Sequence, residues 1–478
     1  MADDKGFVSR VVSASLSGGL PVLILILALG VGSFALLQTP REEEPQIVVP
    51  MSDILISAPT LSARQVERLV TTPLEKVLTQ IDGVEHVYST SEAGGAVVTT
   101  RFFVGEDRED SLVKLYNKIL SNQDIIPEAV TSWVVKPVEI DDVPIVIATL
   151  WSDVSAVDDY ELRRLADELA ISLQTVADTN RIEVIGGRTR QFRVNLDPTA
   201  MVSRQTDIAD ILFALSASNI RHPAGDLQLA NDEIRVEVDA RIQDIDALAQ
   251  LTVNVLDGVP VPLDDVADVV DGPPAPASYH WIGFGPAHAR HGTQRYPAVH
   301  IAIAKKKGSN AVRVAEELTL HLEKAARDLF PAGVSVETTR DYGATADQKI
   351  GDLVASLGVA VATVVVLIGF VLGWRAALVV ALAVPICYGL TLTLGYFAGY
   401  TINRVTLFAL ILALGLLVDD PITGVDNIER HLGRSTSADS DISNAIYEIR
   451  MPLLMSTLAV IIAFAPMSFI TGMMGPYM

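Results

Sequence analysis

Five apolar runs, each about as long as a lipid bilayer is thick, restrict this chain to membrane architectures. They occupy residues 19–39, 349–372, 376–397, 403–428 and 451–472. A bilayer core takes about 20 residues of helix. Lipid offers no partner for a backbone N–H or C=O, so each run is expected to be a helix that satisfies its own backbone. The first run stands apart, because residues 40–341, which are soluble in character, separate it from the other four. The expected fold class is therefore an α+β membrane protein, a transmembrane helix bundle plus a large domain outside the bilayer.

Charge orients the bundle, since cytoplasmic flanks carry the excess of Lys and Arg. Lys5 and Arg10 lie in residues 1–18, and Glu42-Glu43-Glu44 follows the first run, which places 1–18 in the cytoplasm. The apolar core of that run is too long for a signal peptide and no small-residue cleavage site follows it, so an uncleaved helix is expected. Gly373-Trp374-Arg375 has the cation and interfacial aromatic of a cytoplasmic turn, and the polar stretch 429–450, with Arg430, His431, Arg434 and Arg450, reads as a cytoplasmic loop. Residues 40–341 and the short loop Ala398–Ile402 then face the other side. The 36 basic and 58 acidic residues give a net charge of −22, which argues against nucleic acid as a partner. Cys387 is the sole cysteine, so an internal disulfide and any multi-cysteine metal site are excluded.

Within 40–140, strand-like and helix-like segments alternate. Gln46–Ser57 reads as a strand, Leu61–Gln80 as a helix, Val84–Thr90 and Ala96–Val104 as strands about the turn Ala93-Gly94-Gly95, Asp107–Leu120 as a helix, and Trp133–Ile140 as a strand. The order β-α-β-β-α-β is that of a ferredoxin-like split βαβ unit. The same pattern recurs in two pieces, 141–186 and 281–341. The stretch 187–280 between them reads as an inserted subdomain, with a loop or hairpin arm at 221–230.

Asp419 and Asp420 stand side by side in the fourth run, with Pro421 after them. A carboxylate at mid-membrane costs about 2.5–3.5 kcal/mol even on the lenient insertion scale, and such residues usually mark a functional path. Two adjacent negative charges repel, which favours holding a proton between them. Three readings fit these residues: the exposed end of a buried helix in a soluble protein, a helix cap at the water interface if Pro421 ends the helix, or a proton site within the bilayer if Ile422–Ile428 continues it. No nucleophile motif or phosphate-binding loop is present, and Gly94-Gly95 and Gly186-Gly187-Arg188 read as turns, so an enzyme is not expected and no cofactor is implied.

The run Gly415-Leu-Leu-Val-Asp-Asp-x-Ile-x-x-Val-Asp-Asn-Ile-Glu-Arg430 resembles the fourth transmembrane helix of the resistance-nodulation-division (RND) transporters, in their hydrophobe/amphiphile efflux branch. Leu61-Ser-Ala-Arg-Gln-Val-Glu67, Val70-Thr-Thr-Pro-Leu-Glu75, Gly83-Val84 and Arg450-Met-Pro-Leu-Leu-Met-Ser-Thr-Leu458 add to the likeness, which covers essentially the whole chain. The resemblance implies a porter domain of paired βαβ subdomains (40–140, then 141–186 with 281–341) and a docking subdomain at 187–280 whose arm, residues 217–232, reaches a neighbouring protomer. It implies a homotrimer or hetero-oligomer in the bacterial inner membrane, with the large domain in the periplasm, a periplasmic adaptor and an outer-membrane channel as partners, and proton antiport of hydrophobic or amphiphilic molecules. Asp419 and Asp420 match the family's proton-binding aspartates. Three positions depart from the pattern: Pro421 replaces the usual alanine, Gly424 a branched residue and Asp426 a glutamate. The family's relay lysine lies on a second repeat with no counterpart here, so the chain reads as the N-terminal half of such a pump, its C-terminal half missing or supplied by a second chain. A heavy-metal exporter, a lipid exporter and a non-transporting half-pump partner are the competing readings. For a metal, Met51, Met201 and the pair His291 and His300 are the sparse candidates, and no metal site is assigned. Substrate-binding residues are not assignable; Trp133 and Trp151 are aromatic candidates for which core packing is the simpler role.

Overall fold

The structure, a computed structural model, describes residues 20–45, 47–229, 232–239, 241–432, 438–470, 472 and 475. The expected cytoplasmic segment 1–18 lies outside the described residues. Helix α1, Leu20–Gln38, is apolar along its length, and most of its described side chains are exposed. Residues 39–45 then lead to the first sheet.

Strand β1, Met51–Ser57, buries every second side chain, Ser52, Ile54 and Ile56, as a pleated strand with one covered face must. The helix that follows runs through Ala63–Val66, Glu67–Thr71 and Thr72–Leu78 as one element, α2, with a π-helical turn in its middle. Strands β2, Val84–Glu92, and β3, Gly95–Phe102, meet at Gly94, whose φ of +90° suits glycine. Helix α3, Arg108–Leu120, starts where the Asp107 side chain accepts the Asp110 amide at 2.9 Å. With β4, Ser132–Val138, the sheet order is β2-β3-β1-β4, all antiparallel. Helices α2 and α3 cover one face through Val66, Leu74, Leu78, Leu115 and Ile119. The first strand begins at Met51 and not at Gln46. Pro50 has no N–H to donate to a ladder, although its carbonyl accepts from Phe102 at 2.9 Å; Gln46 lies outside the described residues.

The second sheet is assembled from two distant pieces of chain. Strand β5, Pro144–Ser152, helix α4, Asp159–Leu173, and strand β6, Thr179–Ile185, form the first piece. An inserted segment follows. Its strand β7, Gln191–Leu196, and helices α5, Pro198–Ser203, and α6, Ile208–Ser218, lead into a hairpin of β8, Arg221–Leu229, and β9, Asp232–Asp239. The expected loop or arm at 221–230 is thus a strand of an antiparallel hairpin. Its described side chains are exposed on both faces, so the fold itself gives the hairpin no packing partner. Helix α7, Ile245–Ala249, and strands β10, Thr252–Leu256, β11, Val259–Pro262, and β12, Ala267–Gly272, complete the insert, with β12 returning to pair with β7. Met201, Ile211, Leu248, Leu263 and Val266 form its own small core.

The second piece supplies β13, Trp281–Gly283, β14, Arg295–Lys305, helix α8, Ala311–Asp328, and β15, Val334–Asp341. The sheet order is β13-β14-β5-β15, with β6 also pairing with β14. Strand β14 is flanked by β5 and β6, which is why Ala298, Val299 and Ile301–Ala304 are apolar and buried in both pleat directions. Helices α4 and α8 bury Leu162, Leu169, Leu173, Leu318 and Leu322 against it.

Helix α9, Tyr342–Val371, grows directly from β15, capped by Asp341 accepting the Ala344 amide at 2.8 Å. Helices α10, Trp374–Phe397, α11, Arg404–Leu432, and α12, Ala438–Phe464, follow. Among the described residues four helices are long and apolar enough to cross a membrane, within 342–371, 374–397, 404–432 and 444–469; the apolar stretch Val22–Gln38 is shorter. α1 packs on α10 where Gly32 meets Gly389. A Cβ on Gly32 would lie 2.5 Å from the Gly389 Cα, so only glycine allows this approach.

Two expectations are corrected here. Residues 429–450 are not a loop throughout: α11 runs to Leu432 and α12 starts at Ala438, with 433–437 outside the described residues. The polar residues of this stretch pair across the two helices instead of marking coil. The last run, expected as a helix over 451–472, ends as α-helix at Phe464 and tightens to a 3₁₀ turn, Ala465–Phe469, where Pro466 withholds an amide.

Candidate proton-binding site in the membrane helices

Asp419 and Asp420 lie inside α11, not at its end. From Asn403, sixteen residues at helical rise put Asp419 about 24 Å along the axis. The helix continues through Pro421 to Leu432. Proline withholds one backbone donor and opposes the carbonyl four residues back, at Leu417. The Thr423 hydroxyl donates to the Asp419 carbonyl at 2.9 Å, one turn back on the same helix.

One flank of α11 is packed and the carboxylate flank is open. Leu414 and Val418 bury themselves against Val380, Val384 and Tyr388 of α10 and Ile368 of α9. The Tyr388 hydroxyl donates to the Leu410 carbonyl at 2.8 Å, which ties α10 to α11. Both aspartates are exposed on the bundle surface. Among the described residues, the side chain that reaches them from another helix is Thr457 of α12, whose hydroxyl donates to Asp420 Oδ2 at 3.2 Å and also to the Leu453 carbonyl at 2.9 Å.

Both ends of α11 are held. At the start, the buried Asn403 accepts the Val405 and Thr406 amides, each at 3.0 Å. Arg404 pairs with Glu44, so it is tied to the segment after α1 and does not simply reach toward water. At the other end, the buried Asn427 donates to the Ala445 carbonyl of α12 at 2.8 Å, and Arg430 and His431 both pair with Glu448, at 3.1 and 2.8 Å. Arg430 in the last turn of α11 also complements its dipole. Sequence reasoning singled out Asp426, which is exposed; its neighbour Asn427 is the residue that binds the helices together. The spacing Asn427-x-x-Arg430, one helical turn, is the signal that would have marked it.

The other candidates separate. Trp133 packs at the edge of the first core. Trp151 is 3% exposed, with Phe284 and Tyr296 rings 5.0 Å away and the Arg290 guanidinium over its face at 5.1 Å. His291 and His300 do not face one another: His291 meets the His288 carbonyl, whereas His300 meets the Thr149 hydroxyl at 2.8 Å and the His280 ring at 5.9 Å. Met201 is in the core of the insert, and Met51 lies on β1. Several cavities open in the extramembrane part. One of about 730 Å³ lies where the two sheets meet the membrane helices and is lined by Glu42, Met51, Val138, Ile145, Lys305 and Tyr342 among others. Another, about 390 Å³, lies beside β13 and is lined by Tyr279, Trp281 and Tyr296 together with Arg188 and His280. Arg188 is hydrogen-bonded to Asp159, which raises its pKa above the usual guanidinium value. None of these aromatics was legible as a pocket from sequence, because β13 is only three residues long.

Comparison with known proteins agrees with this layout. Residues 19–477 match the AcrB/AcrD/AcrF family. The chain is 27% identical over 474 residues to the multidrug resistance protein MdtC of Yersinia pestis bv. Antiqua (strain Angola) and to that of Yersinia pseudotuberculosis serotype O:3 (strain YPIII). Each alignment covers 98% of this chain and 44% of the relative, so the chain spans less than half the length of the curated relatives it matches. The match takes in α1, both sheets and the helix α11 that carries the paired aspartates, and the chain belongs to the AcrB/AcrD/AcrF family of RND transporters.

Proposed function

We propose that this chain is the first repeat of a proton-driven efflux permease in the bacterial inner membrane, exporting hydrophobic or amphiphilic small molecules by proton antiport. The observation that carries the reading is the pair Asp419 and Asp420, held well inside a continuous membrane-length helix on a flank that the described helices leave open. A carboxylate pair at that depth is costly unless it is protonated or met by a partner. An open flank is suited to a second bundle of helices, from a C-terminal half or another chain, that would bring the counter-charge. Asp419 and Asp420 are the proton-relay residues in this account, and Thr457 is the nearest polar neighbour of the second.

Residues 40–140 and the split pair 141–186 and 281–341 would act as two ferredoxin-like porter subdomains, with 187–280 as docking subdomain. The exposed hairpin β8–β9 would reach a neighbouring protomer of a trimer. The sheets would lie in the periplasm, where an adaptor and an outer-membrane channel complete the path. Proton uptake at Asp419 and Asp420 removes charge from the bilayer and changes which contacts α11 prefers. Helix α9, continuous with β15, and the segment after α1 carry that change to the cavity between the sheets. The test is export by the assembled pump carrying Asp419→Asn or Asp420→Asn. Loss of export with assembly intact supports the reading, and export at the unsubstituted rate overturns it.

A further inference from the structure

The start of α11 is tied to the segment after α1, and that segment is tied to the second sheet. Ile402 donates to the Pro40 carbonyl at 2.9 Å, Glu42 donates back to Ile402 at 3.0 Å, and Arg404 donates to the Glu43 carbonyl at 3.3 Å. Residues 40–43 therefore act as a short edge paired with the entry to α11, with Arg41 and Ile402 bridged in parallel. On its other side, the Arg41 carbonyl accepts the Ala311 amide at 3.0 Å, at the start of α8. Between these two sets of bonds, Glu42 Oε1 meets Lys305 Nζ at 2.7 Å.

The pair is buried at the wall of the 730 Å³ cavity, which both residues line. The Glu42 and Lys305 residues are 3% and 5% exposed, and Glu42 Oε2 has no hydrogen-bond partner among the described residues. Two features set this contact apart from the many surface pairs of the chain. It joins residues 263 positions apart, one beside the membrane and one in the second sheet. Lys305 also ends β14, the strand flanked by β5 and by β6, so a displacement at Lys305 acts on the sheet as a body. A buried ion pair is not needed for stability, because apolar residues of similar volume often hold such a place as well. Its charges do fix one geometry between the two elements.

We infer that the Glu42–Lys305 pair is the joint through which movement of the helix bearing Asp419 and Asp420 reaches the second extramembrane sheet. Both are positioning residues: they act through α11 and β14 and touch neither proton nor cargo. This inference rests on the proposed proton site, and its test separates the two.

The full chain is placed in lipid nanodiscs and amide hydrogen exchange is followed with and without the double change Asp419→Asn/Asp420→Asn, which removes the charge that protonation would remove. In the otherwise unsubstituted chain the change alters exchange in α11, in 40–45 and across 299–315. With Lys305→Met, or with the gentler Glu42→Gln, the alteration in α11 remains and the alteration across 299–315 disappears. The exchanged pair Glu42→Lys/Lys305→Glu restores it. A merely structural role would raise exchange near the pair by the same amount in both backgrounds and leave the difference between backgrounds intact. Persistence of the response across 299–315 in both Lys305→Met and Glu42→Gln overturns the joint and leaves the proton site standing. No response anywhere, α11 included, overturns the proton site and the joint with it.

Discussion

Replacing Lys305 with methionine keeps most of the side-chain volume and leaves the Glu42 carboxylate without its ammonium. The side chains of Lys305 and Glu42 are 7% and 4% exposed, so the stranded charge is poorly solvated. Glu42 Oε2 already lacks a hydrogen-bond partner among the described residues, so no second donor is in place to take over. Breaking a buried pair in this way costs about 3–5 kcal/mol. Each 1.4 kcal/mol is a factor of ten, so amides of β14 that open with the sheet are expected to exchange roughly 10²- to 10⁴-fold faster. The double variant Glu42→Met/Lys305→Met removes both charges at nearly constant volume and is expected to regain most of that protection. Native-state exchange at Ile301 and Ile303 is the assay, because both are buried on β14 and paired with β5. Equal losses that simply add in the double variant would refute the reasoning, since the two side chains would then not be interacting.

Three further outcomes are expected. Gly32→Leu forces α1 and α10 apart, because the closest atom to a new Cβ is backbone, the Gly389 Cα at 2.5 Å; the thermal midpoint in detergent falls, and an unchanged midpoint would contradict the close packing. Burial, with His280 nearby, holds the His300 imidazole below its usual pKa of 6.5. The unfolded chain then takes up a proton first, so protection of the second sheet rises with pH up to about 6.5 and is level above it, and His300→Asn flattens that slope. Asn427→Ala removes a side-chain hydrogen bond that ties α11 to the Ala445 carbonyl of α12, costing about 0.5–1.5 kcal/mol, which thermal unfolding in detergent reads as a lower midpoint.

Several features were legible because they rest on local physics. The four membrane-length helices within 342–371, 374–397, 404–432 and 444–469 follow from length and hydropathy alone. Strands such as Met51–Ser57 show a period of two, and helices α3 and α4 start at Asp107 and Asp158, whose side chains accept the first free amides. Other features depend on residues far apart in sequence. Glu42 reads only as an acidic flank of the first run until Lys305, 263 residues away, is brought to it. The polar residues of 429–450 read as a loop because their partners, Arg430 with Glu448 and Asn427 with Ala445, lie on the facing helix. Pro421 suggested a helix stop, yet a membrane helix tolerates proline where neighbouring groups satisfy the freed backbone, and here α11 continues past it. Thr457 carried no local signal at all; its importance comes from packing one turn of α12 beside Asp420.

The account turns on whether Asp419 and Asp420 take up a proton. Infrared difference spectroscopy of the full chain in nanodiscs, recorded across an acid–base titration, reads a protonated carboxyl group directly. The expected result is a protonated-carboxyl band that is present in the unsubstituted chain and lost in both Asp419→Asn and Asp420→Asn. A titration whose carboxyl bands are unchanged by either substitution would contradict it.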